Sequence, residues 1–213
     1  LKNPSITNIK NYFRQYYVPN NVAICMAGDF DPEQVVATID RYFGAWRPSR
    51  KVTYPEFAPV RTLTAPTDTT VVGKEAEQVM LGWKMDGAAS LQNDTLNVIT
   101  YMLNNGTAGL LDLDVNQPML CLGAGAGCID MRDYSQFVMV GQPNEGQTLE
   151  AVKDILLAEI NKLKRGDFSE KLLSSVKNNL KLNFLRSLDS NSSRANAFVQ
   201  TFVNGRPWQT EVE

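Results

Sequence analysis

The chain has 213 residues, of which 43% are hydrophobic and 9% aromatic, enough to bury one large core or two modest ones. Its 21 basic and 23 acidic residues leave a formal charge of −2, so there is no cationic surplus to neutralise nucleic-acid phosphates or anionic lipid. There is no histidine, which excludes histidine-dependent catalysis and histidine-ligated metal within these residues.

No run approaches the ~18 apolar residues of a membrane span, and no basic-then-apolar signal segment opens the sequence. The sequence starts at Leu1 and stops at Glu213 without a clear terminus, which suggests a piece of a longer polypeptide. Three cysteines are too few for a disulfide framework and lack Cys-x-x-Cys spacing, so free thiols are expected. Cys121 and Cys128 are expected to share one strand, roughly 23 Å apart at ~3.3 Å per residue and unable to bridge.

Ile6, Ile9, Tyr12, Phe13 and Tyr16 recur at helical spacing, and Pro19-Asn20-Asn21 ends that helix. Val22 to Ala27 reads as a short buried strand closed by Gly28. Asp31-Pro32-Glu33-Gln34 offers a capping carboxylate and a proline at the first helical position. The helix that follows carries Val35, Val36, Ile39, Tyr42 and Phe43 on one stripe, with Gly44 expected as a left-handed stop. Pro48, Pro55, Pro59 and Pro66 then break any regular element, which marks a linker.

Beyond it, Thr69 to Lys74 and Glu77 to Trp83 read as strands joined by an acidic turn, followed by a helix from Leu91 to Leu103. Asn104-Asn105-Gly106 stops that helix, and a short one is expected from Thr107 to Asn116. Met119 to Met131 and Gln136 to Gly141 read as a hairpin joined at Arg132-Asp133-Tyr134. Three helices close the sequence: one from Thr148 to Gly166, one opening near Ser169 and reaching Leu188, and one from Arg194 to Val203. Hairpins with segregated helices define an α+β class, a two-layer fold with a largely antiparallel sheet and helices on one face.

Several residues invite chemistry. Gly123-Ala124-Gly125-Ala126-Gly127 lacks the Gly-x-Gly-x-x-Gly spacing of a phosphate loop, and its flanks alternate as a strand, so its glycines are expected to admit a close neighbour. Glu75 and Glu77 want a third ligand and read as solvated turn residues. Asp31 is occupied as a helix cap, Asp29 shapes its turn, and Asp112 and Asp114 sit at a helix end. No catalytic, cofactor-binding or metal-binding residue is therefore expected. The apolar stripes of the last two long helices read as core, with homo-association through any exposed part.

The segment Tyr16-Tyr17-Val18-Pro19-Asn20-Asn21, the run Val22 to Ala27, Gly28-Asp29-Phe30-Asp31-Pro32 and the ending Arg41-Tyr42-Phe43-Gly44 together resemble the pitrilysin/insulinase family of zinc peptidases. Looser likeness continues at Val79 to Trp83, at Asn104-Asn105-Gly106 and at Gly146-Gln147-Thr148-Leu149. The resemblance implies repeated α/β domains, the first carrying His-x-x-Glu-His with its glutamate as base, the second sharing the fold without the ligands.

On that resemblance, residues 1–48 look like the tail of a preceding catalytic-type domain, 49–66 a proline-rich linker, and 67–213 a truncated second domain. Zinc would belong to the parent's upstream domain, and the partners would be that domain, its sister domains and unfolded peptide. A bacterial, pitrilysin-like parent would place it in the periplasm or cell envelope. Where copies of this domain that assist catalysis carry an arginine, this sequence has Asp114, which removes an oxyanion donor. The implied role is chamber wall and packing surface of a zinc endopeptidase; the alternative is a non-catalytic scaffold subunit of the same fold. The cut further predicts that Val22 to Ala27 pairs with the downstream sheet of this chain or of a symmetry-related copy.

Overall fold

The computed structural model describes residues 3–49 and 52–212, so linker positions 50 and 51 lie outside the described residues. The chain divides into two compact units, Leu1–Val72 and Gly73–Glu213.

The first unit is built on two helices. Helix α1 (Ile6–Tyr16) opens on Ser5, whose hydroxyl accepts the Asn8 N–H. Helix α2 (Pro32–Phe43) opens on Asp31, whose carboxylate takes the N–H groups of Glu33 at 2.9 Å and Gln34 at 3.2 Å. A 3-10 turn, Pro19–Asn21, follows α1. Gly44 ends α2 with a right-handed backbone (φ −60°, ψ −27°), against the expected left-handed stop. The glycine is needed for space: a Cβ there would lie 2.5 Å from the Asp40 carbonyl oxygen.

Val22 to Ala27 is extended but carries no ladder, so the expected strand and its pairing with the downstream sheet of this chain are overturned. Extended dihedrals become a strand only through a neighbour's N–H and C=O groups. Neither α1 nor α2 buries a single residue, although both carry apolar stripes. Tyr12, Phe13, Val36, Tyr42 and Phe43 all remain exposed.

The second unit holds a three-stranded antiparallel sheet, β1 (Val79–Asp86), β2 (Gly123–Ile129) and β3 (Tyr134–Gln142), in the order β1-β3-β2. In register, Val79 faces Gly141, Trp83 faces Phe137, Ala124 faces Gly141 and Cys128 faces Phe137. Thr69 to Lys74 forms no strand; Val71 and Val72 are almost fully exposed. The hairpin is present, but β2 is shorter than Met119 to Met131. A left-handed residue at Met119 (φ 54°) redirects the chain into it.

Alternation sorts the sheet into two faces. Leu81, Trp83, Met85, Ala124, Ala126, Cys128, Phe137 and Met139 point toward the helices and join one core with Leu103, Leu111, Val115, Val152 and Leu156. Helix α3 (Leu91–Leu103) and helix α4 (Leu149–Arg165) cover this face. Gly141 lets α4 approach: a Cβ there would meet the Val152 Cγ1 at 2.5 Å. Cys121 is buried just ahead of β2 and does not share its strand with Cys128.

Helix α5 (Glu170–Ser187) packs on α3 and buries only Val176. Helix α6 (Asn191–Asn204) buries nothing, and Phe202 and Val203 stay exposed, so the expected core stripe of the last helices is largely surface. Gly166 and Gly205 end α4 and α6 in the left-handed conformation, where a Cβ would be strained. Helix α7 (Gln209–Val212) was not evident from the sequence. Arg206 ties this end to α3, donating to both Asp94 carboxylate oxygens at 3.0 and 2.7 Å.

Candidate functional site

The polar network of the second unit is organised by a π-helix, Asp112–Asn116, where a short helix from Thr107 was expected. Such wide turns cost hydrogen-bond quality and mark places where side chains dictate the backbone. Leu111 and Val115 are fully buried, which fixes the segment against the core and turns residues 112, 114 and 116 toward polar partners.

Asp112 is 7% exposed. Its carboxylate accepts the Asn104 Nδ2 at 2.6 Å, the Asn105 N–H at 2.9 Å and the Gly109 N–H at 3.1 Å. These donors hold the loop 104–109 in place of a helical start. Gly109 is required there, since a Cβ would fall 2.4 Å from the Leu103 carbonyl oxygen.

Asp114 accepts the Lys162 Nζ of α4 at 2.8 Å, and the same ammonium donates to Glu159 at 2.8 Å. The Asp114 carboxylate, then Glu159, raises the Lys162 pKa above its ordinary value against a smaller desolvation effect. Lys162 was not legible as the partner of Asp114: nothing local relates position 114 to 162.

Asn116 reaches the edge of β2. Its Nδ2 donates to the Ala124 carbonyl at 2.9 Å, and its Oδ1 accepts the Ala124 N–H at 2.8 Å. The amide thus imitates a neighbouring strand. At the other edge the Asp86 N–H of β1 donates to the Gln92 side chain at 3.1 Å. Side-chain caps of this kind blunt edges otherwise open to pairing.

The remaining candidates stay apart. Glu75 and Glu77 lie in an exposed irregular stretch before β1, and Asp31 is committed to its helix cap. Gly123, Gly125 and Gly127 do lie on a strand. Nothing stands within 4 Å of a Cβ built at Gly123 or Gly127, so the expected close approach occurs only at Gly125, 3.5 Å from the Asn104 Oδ1. Their face, shared with Met80, Gly82, Val138 and Val140, is the one without helices.

Cys25, Cys121 and Cys128 are free thiols. Burial pushes Cys121 above its ordinary value, and burial, opposed by the nearby Thr100 hydroxyl, does the same at Cys128. Reactive cysteines need the opposite shift. Among the described residues, no group of three or more histidine, cysteine or acidic side chains could hold a metal. The described residues do not fit zinc: they include no histidine, and the candidate carboxylates Asp31, Asp112 and Asp114 are engaged by a helix cap, a loop and a lysine. No helix among the described residues is long and apolar enough to cross a membrane.

This is a two-layer α+β domain whose polar side chains hold its own loops and edges. The chain belongs to the family described as the Peptidase M16 inactive domain, which matches residues 5–180. It is 24% identical over 211 residues to the zinc protease PqqE of Helicobacter pylori, covering 95% of this chain and 47% of that protein. The crystal structure of a protease from Helicobacter pylori has the same fold, with a TM-score of 0.82 at 22% identity, over 96% of this chain and 50% of that one. The periplasmic protease PqqL from Escherichia coli superposes with a TM-score of 0.60 at 14% identity, over 96% of this chain and 24% of that one. The chain therefore spans about half the length of the Helicobacter proteins it matches.

Proposed function

We propose that this chain is the non-metal-binding half of a zinc endopeptidase, forming chamber wall and packing surface while another domain supplies the metal, the base and the attacking water. The observation that carries this reading is the helix-free face of the sheet. Its middle carries Met80, Val138 and Val140 with open space over Gly82, Gly123 and Gly127, and Lys84, Gln136 and Gln142 lie toward its ends. A face left uncovered by its own helices suits the inside of an enclosure that meets extended peptide. No residue of this chain takes a catalytic role.

The first unit supports the same reading. Its extended segment and two unburied helix stripes are what the end of a preceding domain leaves when its sheet lies elsewhere, as proposed for residues 1–48, with a linker at 49–66 and the second domain at 67–213. The upstream domain and its sisters are the proposed partners, and the periplasm, where the Escherichia coli relative is found, is the proposed compartment.

The test is made on the parent protein, whose upstream domain should carry His-x-x-Glu-His. Purified parent should retain zinc and hydrolyse an unfolded polypeptide, with loss of activity on chelation and recovery on adding zinc. A second reading, a scaffold subunit, is favoured by Asp114, an acid locked onto Lys162 where an assisting copy carries arginine. Parent that neither holds zinc nor cleaves peptide overturns the first reading and leaves the second.

A further inference from the structure

The division between the two units falls between Val72 and Gly73, inside a stretch, residues 66–78, that forms no helix and no strand. Every residue of that stretch is exposed, Val71 at 87% and Val72 at 94%. Among the described residues, none from 66 to 78 makes a hydrogen bond to another part of the chain. A Cβ built on Gly73 would meet nothing within 4 Å. Two adjacent aliphatic side chains therefore stand in water on a backbone with no partner of its own.

We propose that the Val71–Val72 bond is a site of limited hydrolysis, open in the folded chain to an endopeptidase whose pocket takes an aliphatic side chain. An extended peptide is held as an added strand, through main-chain hydrogen bonds and pockets for alternate side chains. Residues 67–78 offer such a backbone already exposed. Proline, which cannot donate, stands at Pro66 and does not recur before β1. The valine pair places an aliphatic side chain on both sides of one bond. In the step itself water adds across that bond: the C–N bond breaks, the hydroxyl joins the Val71 carbonyl carbon and the proton goes to the Val72 nitrogen.

Other stretches lack one of these conditions. Residues 55–65 are interrupted by Pro55 and Pro59 and run into Pro66, and their Leu63 is 69% exposed. Val22 to Ala27 is extended, but Met26 lines a cavity with Val35 and Ile39 of α2, so one side of that segment is covered. Loop 104–109 is held by Asp112, and the turn at Asn144 by the Gln147 side chain. Chain that must first be pulled from such contacts is cut only as often as it opens. The place of the bond matters as well as its exposure. All the core side chains of the second unit, with those packed against them, lie beyond it, so hydrolysis there frees the first unit and removes nothing that holds the sheet to its helices.

Thermolysin, which cuts on the amino side of large aliphatic residues, tests this on the full chain under native conditions, with the products read by mass and N-terminal sequence. The first cut should fall before Val71 or Val72, at a rate within about 3-fold of that for a synthetic peptide of residues 66–78, because no opening step precedes it. The C-terminal product should accumulate with the amides of β3 as protected as in the intact chain. The double variant Val71→Asp, Val72→Asp should slow cleavage in this stretch on the order of 10-fold by denying the pocket its aliphatic group, with the thermal midpoint unchanged. A first cut at Leu63 or within Val22 to Ala27 overturns the site. So does a rate on the order of 100-fold below that of the peptide, which would mean that the stretch is covered, or a C-terminal product that unfolds as it forms.

Discussion

Glycine serves different ends at two positions of the second unit. A Cβ on Gly87 would lie 2.2 Å from the Arg132 carbonyl oxygen and 3.0 Å from backbone carbon of Asp133, atoms that cannot swing aside. Gly127 carries open space above it. Gly87→Ala should therefore destabilise the unit by about 2 kcal/mol, through forced backbone movement. Gly127→Ala should be neutral or stabilising by about 0.5 kcal/mol, because alanine loses less freedom in a strand. Urea midpoints of the two variants check this; equal losses would mean that the open face over Gly127 is occupied. Neither effect can be told from the sequence, because the atoms that crowd Gly87 belong to residues 132 and 133.

Among the elements, the join between the π-helix and α4 rests on Lys162, which Asp114 and Glu159 hold in its charged form. Its folded pKa is raised, so the ion pairs contribute fully below lysine's ordinary value of 10.5 and fade as pH rises through the folded value. Lys162→Met should lower stability by a constant amount from neutral pH to about 10, and the two stability curves should converge above that. Denaturation curves across pH make the comparison, and a gap that widens with alkalinity contradicts it. The elements themselves were legible where a local rule sets them: Asp31 as a cap, Ser169 as a helix opening, Gly166 as a helix end, and Leu91–Leu103 with its own ends. The π-helix was not, because its width is imposed by Asp112, Asp114 and Asn116 reaching three different parts of the second unit.

At the scale of the whole molecule, the two units differ in what holds them. The second has a continuous core on one sheet face, with Leu103, Leu111, Met139, Val152 and Leu156 fully enclosed. The first has helices of 11 and 12 residues with no buried side chain. Helices that short are marginal without packing. Amides of β3 should therefore exchange only through global unfolding, while those of α1 and α2 exchange on the order of 100-fold faster through local opening. Hydrogen exchange by residue checks this, and equal protection across both units would show that the first has a core of its own. This difference also explains why the apolar stripes misled: periodicity marks a face that wants burial, and cannot say whether the covering surface is present.

The sequence by itself determined what each local stretch could do. Capping residues, prolines and periodicity placed most helices and the hairpin, and the want of histidine removed a histidine-ligated metal site from these residues outright, since no packing can supply a missing ligand. Only the tertiary structure decided what depends on a partner distant in sequence. It left Val22 to Ala27 and Thr69 to Lys74 without ladders, put β3 between β1 and β2, closed Asp114 onto Lys162, and brought Ser49 and Tyr54 onto Asn20 and Asn21. Strand pairing, ion pairing and docking each need two surfaces to meet, and a sequence read locally presents only one of them.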